Sequence, residues 1–334
     1  MVDKIGIATT IRGCDTDILN SFIKYHLFIG FDHFILFYDD ENECVPTIFN
    51  ETDHITVIKN NTENRANWQG TDSKYLLEFT QTDLIARQIL NLELAIKMAP
   101  SLGVSWLVHI DVDELFLCLG WKNVKEHFQS LDKHNVKAIN YVNYECIPER
   151  SNVTNYFLEG TLFKKNVKHL NENQKCEIES SKLGSIKNYF LFYENGKPAG
   201  KISDQLRVYS PHLFFNSVQA RTQNFPIILH YPICGFKHFY AKYKVMGMFP
   251  DKWLGQYTIN DYLPFHVKAR DIVNLKDQSI ALRFYQDEVI DRYCSLTSQL
   301  VKRKIFRRIS LPSRILRKVL LSEASVSHIK DGYL

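Results

Sequence analysis

Three carboxylates occur within four consecutive positions, directly after a run of apolar residues with high strand propensity. The segment reads Ser105-Trp-Leu-Val-His-Ile-Asp111-Val-Asp113-Glu114. Burying an unpaired carboxylate is strongly unfavourable, so these acids are poor core residues unless a cation neutralises them. Mg²⁺ and Mn²⁺ prefer oxygen ligands and usually bind through one or two carboxylates together with substrate phosphates. The pattern therefore predicts a divalent-metal site at the end of this strand.

Strands and helices alternate in the first part of the chain, and this alternation positions the acids. Apolar runs predict strands at 5–10, 33–38, 56–58 and 105–110, and apolar spacings of three and four residues predict helices at 17–29 and 83–98. Such alternation indicates βαβ units and a mostly parallel sheet. Ligands of these sheets bind beyond the carboxyl ends of the strands. The loops after Thr10, Tyr38 and Ile110 are therefore expected to share one cleft.

The remainder of the chain is less regular. Residues 59–73 are polar and predict a loop near the site, 138–142 and 226–231 predict strands, and 237–248 and 278–309 predict helices. Between about 143 and 205 the pattern is mixed. We expect a catalytic domain at 1–250 and a C-terminal helical region at 251–334.

Composition excludes several classes of protein. The 334 residues are 45% hydrophobic and 23% charged, which is ordinary for a globular protein. A net charge of +4 is too small to indicate nucleic-acid binding. Seven cysteines without a Cys-x-x-Cys pair argue against a disulfide framework and for a reducing compartment. With no predicted signal peptide or membrane span, the expected location is cytoplasmic.

Residues 300–321 contain eight basic residues and no acid, with Val301, Ile305 and Ile309 recurring every four residues. Two interpretations stay open. The segment could form an interfacial helix on anionic lipid, which would place the protein peripherally at the inner face of a membrane. Alternatively, it could form a C-terminal helix that packs on the domain and exposes a solvated basic face.

Three segments together resemble the family-2-like and family-92-like (DUF23-type) glycosyltransferases. They are residues 23–34 with His26 and Gly30, residues 106–114 with the two aspartates, and the His230-Tyr-Pro segment. The resemblance covers roughly residues 4–245. It implies a GT-A (Rossmann-like) fold, a nucleotide-sugar donor, most commonly a UDP-sugar, and a metal-binding Asp-x-Asp motif with Mn²⁺ or Mg²⁺.

The same resemblance assigns roles to individual residues. Asp113 would be the direct metal ligand, and Asp111 would bind the metal through water or contact the donor ribose. His230 would be a further ligand, with His212 as the alternative. The remaining matches are expected at the donor nucleotide or its phosphates: Thr10, Arg12, Asp39, Lys201 and Lys237, with Arg87 and Gln88 explained equally well by helix-surface polarity.

Inverting transfer, which we expect, needs a base for the acceptor hydroxyl. Glu145, Glu149, Glu159 and Asp204 are all candidates, and Glu145 is preferred because it follows a predicted core strand. The expected function is a metal-dependent transfer of a sugar to a glycan, a lipid-linked acceptor, a protein or another hydroxyl acceptor. The alternatives are a nucleotidyltransferase or pyrophosphorylase, disfavoured because the loop after the first strand has only one glycine, and a non-catalytic carbohydrate-binding protein.

Overall fold

The computed structural model describes residues 4–46, 52–220 and 222–331. Its strands are β1 (Lys4–Ile11), β2 (His33–Tyr38), β3 (Ile55–Lys59), β4 (Val104–His109), β5 (Glu114–Leu117), β6 (Ala138–Tyr141), β7 (Asn143–Cys146), β8 (Leu162–Lys164), β9 (Lys197–Lys201), β10 (Val208–Ser210), β11 (Leu213–Phe214), β12 (Val218–Ala220), β13 (Ile227–His230), β14 (Lys252–Trp253), β15 (Tyr257–Thr258) and β16 (Phe306–Arg308).

Its helices are α1 (Thr16–Ile29), α2 (Thr62–Ala66), α3 (Leu84–Met98), α4 (Val124–Lys133), α5 (Tyr156–Glu159), α6 (Glu172–Ser180), α7 (Phe236–Met246), α8 (Ile259–Tyr262), α9 (Pro264–Asn274), α10 (Gln278–Tyr285), α11 (Arg292–Cys294), α12 (Thr297–Lys302) and α13 (Leu311–Asp331). Short 3₁₀ turns occur at Asn67–Gly70, Lys74–Phe79, Ala99–Leu102, Val167–His169 and Ile186–Asn188, and a π-helical stretch spans Gln286–Asp291.

The larger sheet has the strand order β12-β6-β9-β4-β1-β2-β3. β1 pairs in parallel with β2 and with β4, and β2 pairs in parallel with β3. β9 is antiparallel to both β4 and β6. The predicted fold class, an α/β fold with a mostly parallel sheet flanked by helices, is confirmed.

The first helix shows how local sequence fixes an element of this sheet. The carboxylate of Asp15 caps the helix by accepting a hydrogen bond from the Asp17 backbone N–H. Gly30 ends it with φ 108°, a left-handed conformation that glycine adopts at little cost. Asp15 and Gly30 thus set the two ends of α1, the helix that connects the end of β1 to the start of β2.

The two faces of the larger sheet pack against different layers. Ala8 and Ile35 lie in one buried cluster with Leu90 of α3. Ile7 belongs instead to a second cluster, between the sheet, α1 and a smaller sheet. Successive residues of β1 therefore point to opposite faces, as strand geometry requires, and both faces are buried.

The smaller sheet has the order β16-β8-β7-β13-β5. β5 follows the acidic segment directly and pairs antiparallel with β13, which brings His230 opposite Glu114. β13 also runs parallel to β7, with His230 opposite Glu145. The far side of this sheet packs on α7, α9 and α10 in a third buried cluster. This sheet joins the acidic segment to the His230 strand.

The prediction of continuous helix at 278–309 is wrong at its end, because residues 306–308 form strand β16, which pairs antiparallel with β8. Ile305 is buried in the third cluster and Ile309 in the second, so the four-residue spacing reflects two separate cores. The interfacial helix therefore cannot run through 300–309. Helix α13 carries the rest of the basic segment and packs on α5 and α1.

One prediction about organisation stays open and another is wrong in part. The boundary at residue 250 stays a prediction, and β16 shows that the C-terminal region contributes to the smaller sheet. Residues 59–73, predicted as a loop, contain helix α2 and the 3₁₀ turn Asn67–Gly70. Within the described residues, no helix combines the length and apolar content needed to cross a bilayer.

Candidate active site

The acidic segment forms a tight turn at the carboxyl end of β4. The backbone N–H of Glu114 donates to the Asp111 carbonyl at 3.0 Å, and the Glu114 carboxylate accepts from the Asp111 N–H at 2.8 Å. Glu114 is fully buried, whereas the side chains of Asp111 and Asp113 are 23% and 18% exposed. The turn thus presents two carboxylates to the cleft and uses the third to hold its own backbone.

A buried lysine neutralises the first carboxylate. Lys197 Nζ lies 2.6 Å from Asp111 Oδ2 and 3.5 Å from a Glu114 oxygen, and Gln88 Nε2 donates to Asp111 Oδ1 at 3.0 Å. Burial acts to raise the pKa of Asp111, but the Lys197 ammonium outweighs it and holds that pKa well below its usual range. Burial raises the pKa of Glu114. Both oxygens of Asp111 are therefore engaged within the protein.

The second carboxylate faces an ammonium and an imidazole. Lys242 Nζ donates to Asp113 Oδ2 at 2.8 Å, and His230 Nε2 lies 3.8 Å from the same oxygen. Burial lowers the pKa of His230 to about 4, so its imidazole is neutral near pH 7 and can act as a ligand. The Tyr193 ring stacks on the imidazole at 4.6 Å and its hydroxyl contacts Glu114. Asp113 and His230 are thus held side by side.

The residues present fit a divalent cation whose remaining ligands come from outside the protein. Two atoms that bind the same ion, each at about 2.0–2.2 Å, can lie up to about 4.4 Å apart. Asp113 Oδ2 and His230 Nε2 are 3.8 Å apart, which is within this limit. In the described part of the chain, no three His, Cys, Asp or Glu side chains converge on one point. Further ligands would have to be phosphate oxygens and water, which is the usual arrangement for Mg²⁺.

The alternative histidine is held differently. His212 Nδ1 bonds to the Gly196 carbonyl at 2.9 Å, and burial lowers the pKa of His212 to about 3. Its ring centroid lies 4.3 Å from that of Tyr193. Of the two histidines, only His230 forms an ion-pair contact with Asp113 within the described ranges. The geometry favours His230 over His212, and its role as a metal ligand stays a prediction.

The end of β2 carries a second charged cluster. Asp39 is buried and accepts from Arg87 Nε at 2.6 Å and from Arg87 Nη2 at 3.0 Å. Arg12, at the end of β1, reaches the same carboxylate at 3.5 Å, and Asn60 donates to it at 3.3 Å. Arg87, a weaker candidate by sequence, is thus the main partner of Asp39. The structure thus brings the ends of β1 and β2 together; that these ends share one ligand cleft with the end of β4 stays a prediction.

Thr10 lies beside this cluster. Its hydroxyl accepts from the Asn91 amide at 3.1 Å, and Asn91 accepts in turn from the Trp68 indole at 3.1 Å. The segment that contains Trp68 therefore packs against α3 next to the end of β1. Thr10, Arg12, Asp39 and Gln88 all occur at the cleft edge, and their donor-binding roles stay predictions.

The two lysines predicted to face the donor phosphates lie elsewhere. Lys201 pairs with Asp132 of α4 at 2.6 Å, because antiparallel β9 places it opposite Trp106, toward the start of β4. Lys237 is exposed and pairs with Asp15 at 3.3 Å. Lys197 and Lys242 contact the acids instead.

Glu145 is enclosed in the protein. Its carboxylate accepts from the backbone N–H groups of Leu191 at 3.0 Å and Phe192 at 2.8 Å, and it forms an ion pair with Lys164. Both charged side chains are 1% exposed. The arrangement anchors the segment that carries Tyr193, and it does not support the prediction that Glu145 is the base. The other candidates Glu149 and Glu159 pair with arginines.

The fold is a Rossmann-like α/β fold, and the acid pair lies at the carboxyl end of β4 in its mostly parallel sheet. The family model for glycosyltransferase family 92 matches residues 10–241, and the chain belongs to that family. The protein is therefore a glycosyltransferase, and the resemblance noted in the sequence is confirmed.

Two relatives come from Arabidopsis thaliana. The glycosyltransferase-like proteins At2g41451 and At3g57200 are each 28% identical over 91% of this chain, which spans 69% and 61% of their lengths. Among solved structures, the mannosyltransferase Ktr4p of S. cerevisiae is 14% identical, with a TM-score of 0.25, over 44% of this chain and 41% of its own. A similarity of this size gives no information about the substrate.

Proposed function

We propose that this protein transfers a sugar from a nucleoside diphosphate to a hydroxyl acceptor with the help of a divalent cation. The observation that carries the proposal is the pair Asp111 and Asp113 at the end of β4, with His230 beside Asp113. Carboxylates and a neutral imidazole suit Mn²⁺, and a diphosphate would supply the missing oxygens. The donor would be a UDP-sugar.

The nucleotide would extend from the acids toward the ends of β1 and β2. Arg12 is 42% exposed on its side chain and lies at the mouth of the cleft, where a guanidinium can meet phosphate or base. Asp39 is held by Arg87 and keeps that edge rigid. Thr10 and Gln88 complete the edge between the two ends.

Asp113 and His230 would hold the ion, which when bound offsets the charge of the diphosphate and of the departing nucleotide. The ammonium of Lys197 fixes Asp111, so this acid would orient water or ribose through its exposed fraction. The acceptor would be a glycan, a lipid-linked sugar or a protein hydroxyl, with inversion at the transferred carbon. Cytoplasmic location and contact of α13 with anionic lipid also stay predictions.

The test is a ligand-stabilisation screen of UDP, GDP and UDP-sugars with and without Mn²⁺. A ligand present at 100 times its dissociation constant stabilises the native state by about 2.7 kcal/mol. UDP plus Mn²⁺ should therefore raise the melting temperature of the wild type. Asp113→Asn should lose this shift and the accompanying donor hydrolysis.

A matched control is Asp132→Asn, which also breaks a Lys–Asp pair, at 2.6 Å, but on α4 beside Lys201 rather than in the cleft. This variant should keep the full shift. An undiminished shift in Asp113→Asn, or no response of the wild type to any nucleoside diphosphate, would count against the proposal. Synthesis of a nucleotide-sugar from a nucleoside triphosphate would instead identify a nucleotidyltransferase.

A further inference from the structure

Lys242 occupies the position from which a cation would approach Asp113. Its Nζ lies 2.8 Å from Asp113 Oδ2, 3.1 Å from the Pro232 carbonyl and 4.9 Å from the centre of the Phe192 ring. The oxygen it contacts is also the one that lies 3.8 Å from His230 Nε2. The ammonium and the imidazole therefore converge on a single carboxylate oxygen.

The cleft contains a second lysine with different surroundings. Lys197 is 1% exposed and lies between two carboxylates, those of Asp111 and Glu114. These carboxylates keep the pKa of Lys197 above its usual value although burial acts to lower it. Removing such an ammonium would leave two acids without a counter-charge in a buried position. Lys197 is thus a permanent part of the site.

Lys242 is free of these constraints. Its side chain is 29% exposed, and Asp113 is the one carboxylate with which it forms an ion pair among the described residues. A long, flexible side chain at a partly exposed position can move into solvent at small cost. Between the two lysines, Lys242 is the one that can leave.

We propose that Lys242 is an internal counter-ion of Asp113 that a divalent cation must displace. This inference rests on the proposed function, because it takes Asp113 and His230 as the pair that holds the ion. An ammonium and a divalent cation compete for Asp113 Oδ2, since their charges repel at this range. Lys242 thus lowers the affinity of the donor-free protein for the ion and keeps Asp113 paired until the ion arrives.

The test measures Mn²⁺ binding to the 334-residue chain without nucleotide, by isothermal titration calorimetry. Lys242→Met removes the competing charge, and Mn²⁺ should bind about tenfold more tightly, which is about 1.4 kcal/mol, because a positive charge beside the ion repels it even in water. Lys242→Gln keeps a hydrogen-bond donor but not the charge, and should tighten binding similarly. Circular dichroism confirms that each variant is folded.

Lys237→Met is the control, because this lysine lies on the same helix but pairs with Asp15. It should leave Mn²⁺ affinity unchanged. Unchanged or weaker binding in both Lys242 variants, with binding abolished in Asp113→Asn, would overturn the counter-ion role and leave the proposed function standing. Binding that is absent from the wild type and from both Lys242 variants would also overturn the counter-ion role, because removing the competing charge would then have no effect, whereas equal binding in Asp113→Asn would overturn both proposals.

Discussion

Replacing Glu145 by glutamine separates a structural role from a catalytic one. The carboxylate has three partners, which are the backbone N–H groups of Leu191 and Phe192 and the ammonium of Lys164. Glutamine would leave that ammonium buried without a counter-charge. Breaking one side of a buried ion pair costs about 3–5 kcal/mol. Because native proteins are stable by about 5–15 kcal/mol in total, the expected loss is a large fraction of stability.

The assay is urea denaturation followed by tryptophan fluorescence and circular dichroism. Glu145→Gln should lower the free energy of unfolding by about 3–5 kcal/mol, while the folded fraction at low temperature keeps most of its transferase activity. The double variant Glu145→Gln/Lys164→Met removes both charges and should be more stable than the single variant. This recovery would identify the unpaired ammonium as the source of the loss.

The opposite pattern would refute this reasoning. A general base contributes about 10²–10⁴ to the rate of a reaction. If Glu145→Gln unfolds at the same urea concentration as the wild type but loses activity by such a factor, Glu145 is the base and the enclosed geometry is misleading. If the double variant is no more stable than the single one, the loss does not arise from the charge of Lys164.

Three further predictions concern other parts of the molecule. Arg87→Met should lower the free energy of unfolding by about 3–5 kcal/mol because Asp39 loses its main buried partner, and Arg87→Lys should lower it less. Equal urea midpoints for the wild type and Arg87→Met would contradict this. Burial lowers the pKa of His26 to about 3, below its unfolded value of about 6.5. The contribution of neutral His26 to stability is therefore complete above about pH 6.5. It is lost as the pH falls toward 3, at up to about 1.4 kcal/mol per pH unit. His26→Asn should flatten the decline in urea midpoint between pH 7 and 5, and an unaltered slope would argue against it. Gly235→Ala should cost about 1–3 kcal/mol in thermal unfolding, since φ is 98° and a Cβ would lie 2.8 Å from Val153 Cβ, whereas Gly184→Ala meets no atom within 4 Å and should cost less.

The parallel half of the fold was predictable because each of its elements has a strong local signal. The strand His33–Tyr38 is a continuous apolar run and was predicted to the residue. The helix Leu84–Met98 has an aspartate cap and a regular apolar spacing. Such signals depend on a few neighbouring residues, so a single sequence contains them in full.

The lysines of the site could not be predicted in the same way. Strand Lys197–Lys201 reads Lys-Pro-Ala-Gly-Lys and contains no β-branched residue, so nothing local indicates a strand. A buried lysine is tolerated there only because Asp111 and Glu114, remote in sequence, face it across the sheet. Lys201 was predicted in its place from the family resemblance, which does not give the direction of the strand. That direction decides which end of β9 meets the acids, and it depends on pairing with β4.

Strand β16 has a consequence for the order in which the molecule can be completed during synthesis. The pairs Phe306 with Lys164 and Arg308 with Leu162 join positions about 140 residues apart, a separation that makes closure slow. The strands β1 to β4 lie within residues 4–109 and can associate early on the ribosome. The smaller sheet cannot be completed until residue 308 has been synthesised, and until then β8 is an unpaired edge strand. Chaperones would therefore matter most for nascent chains of this length.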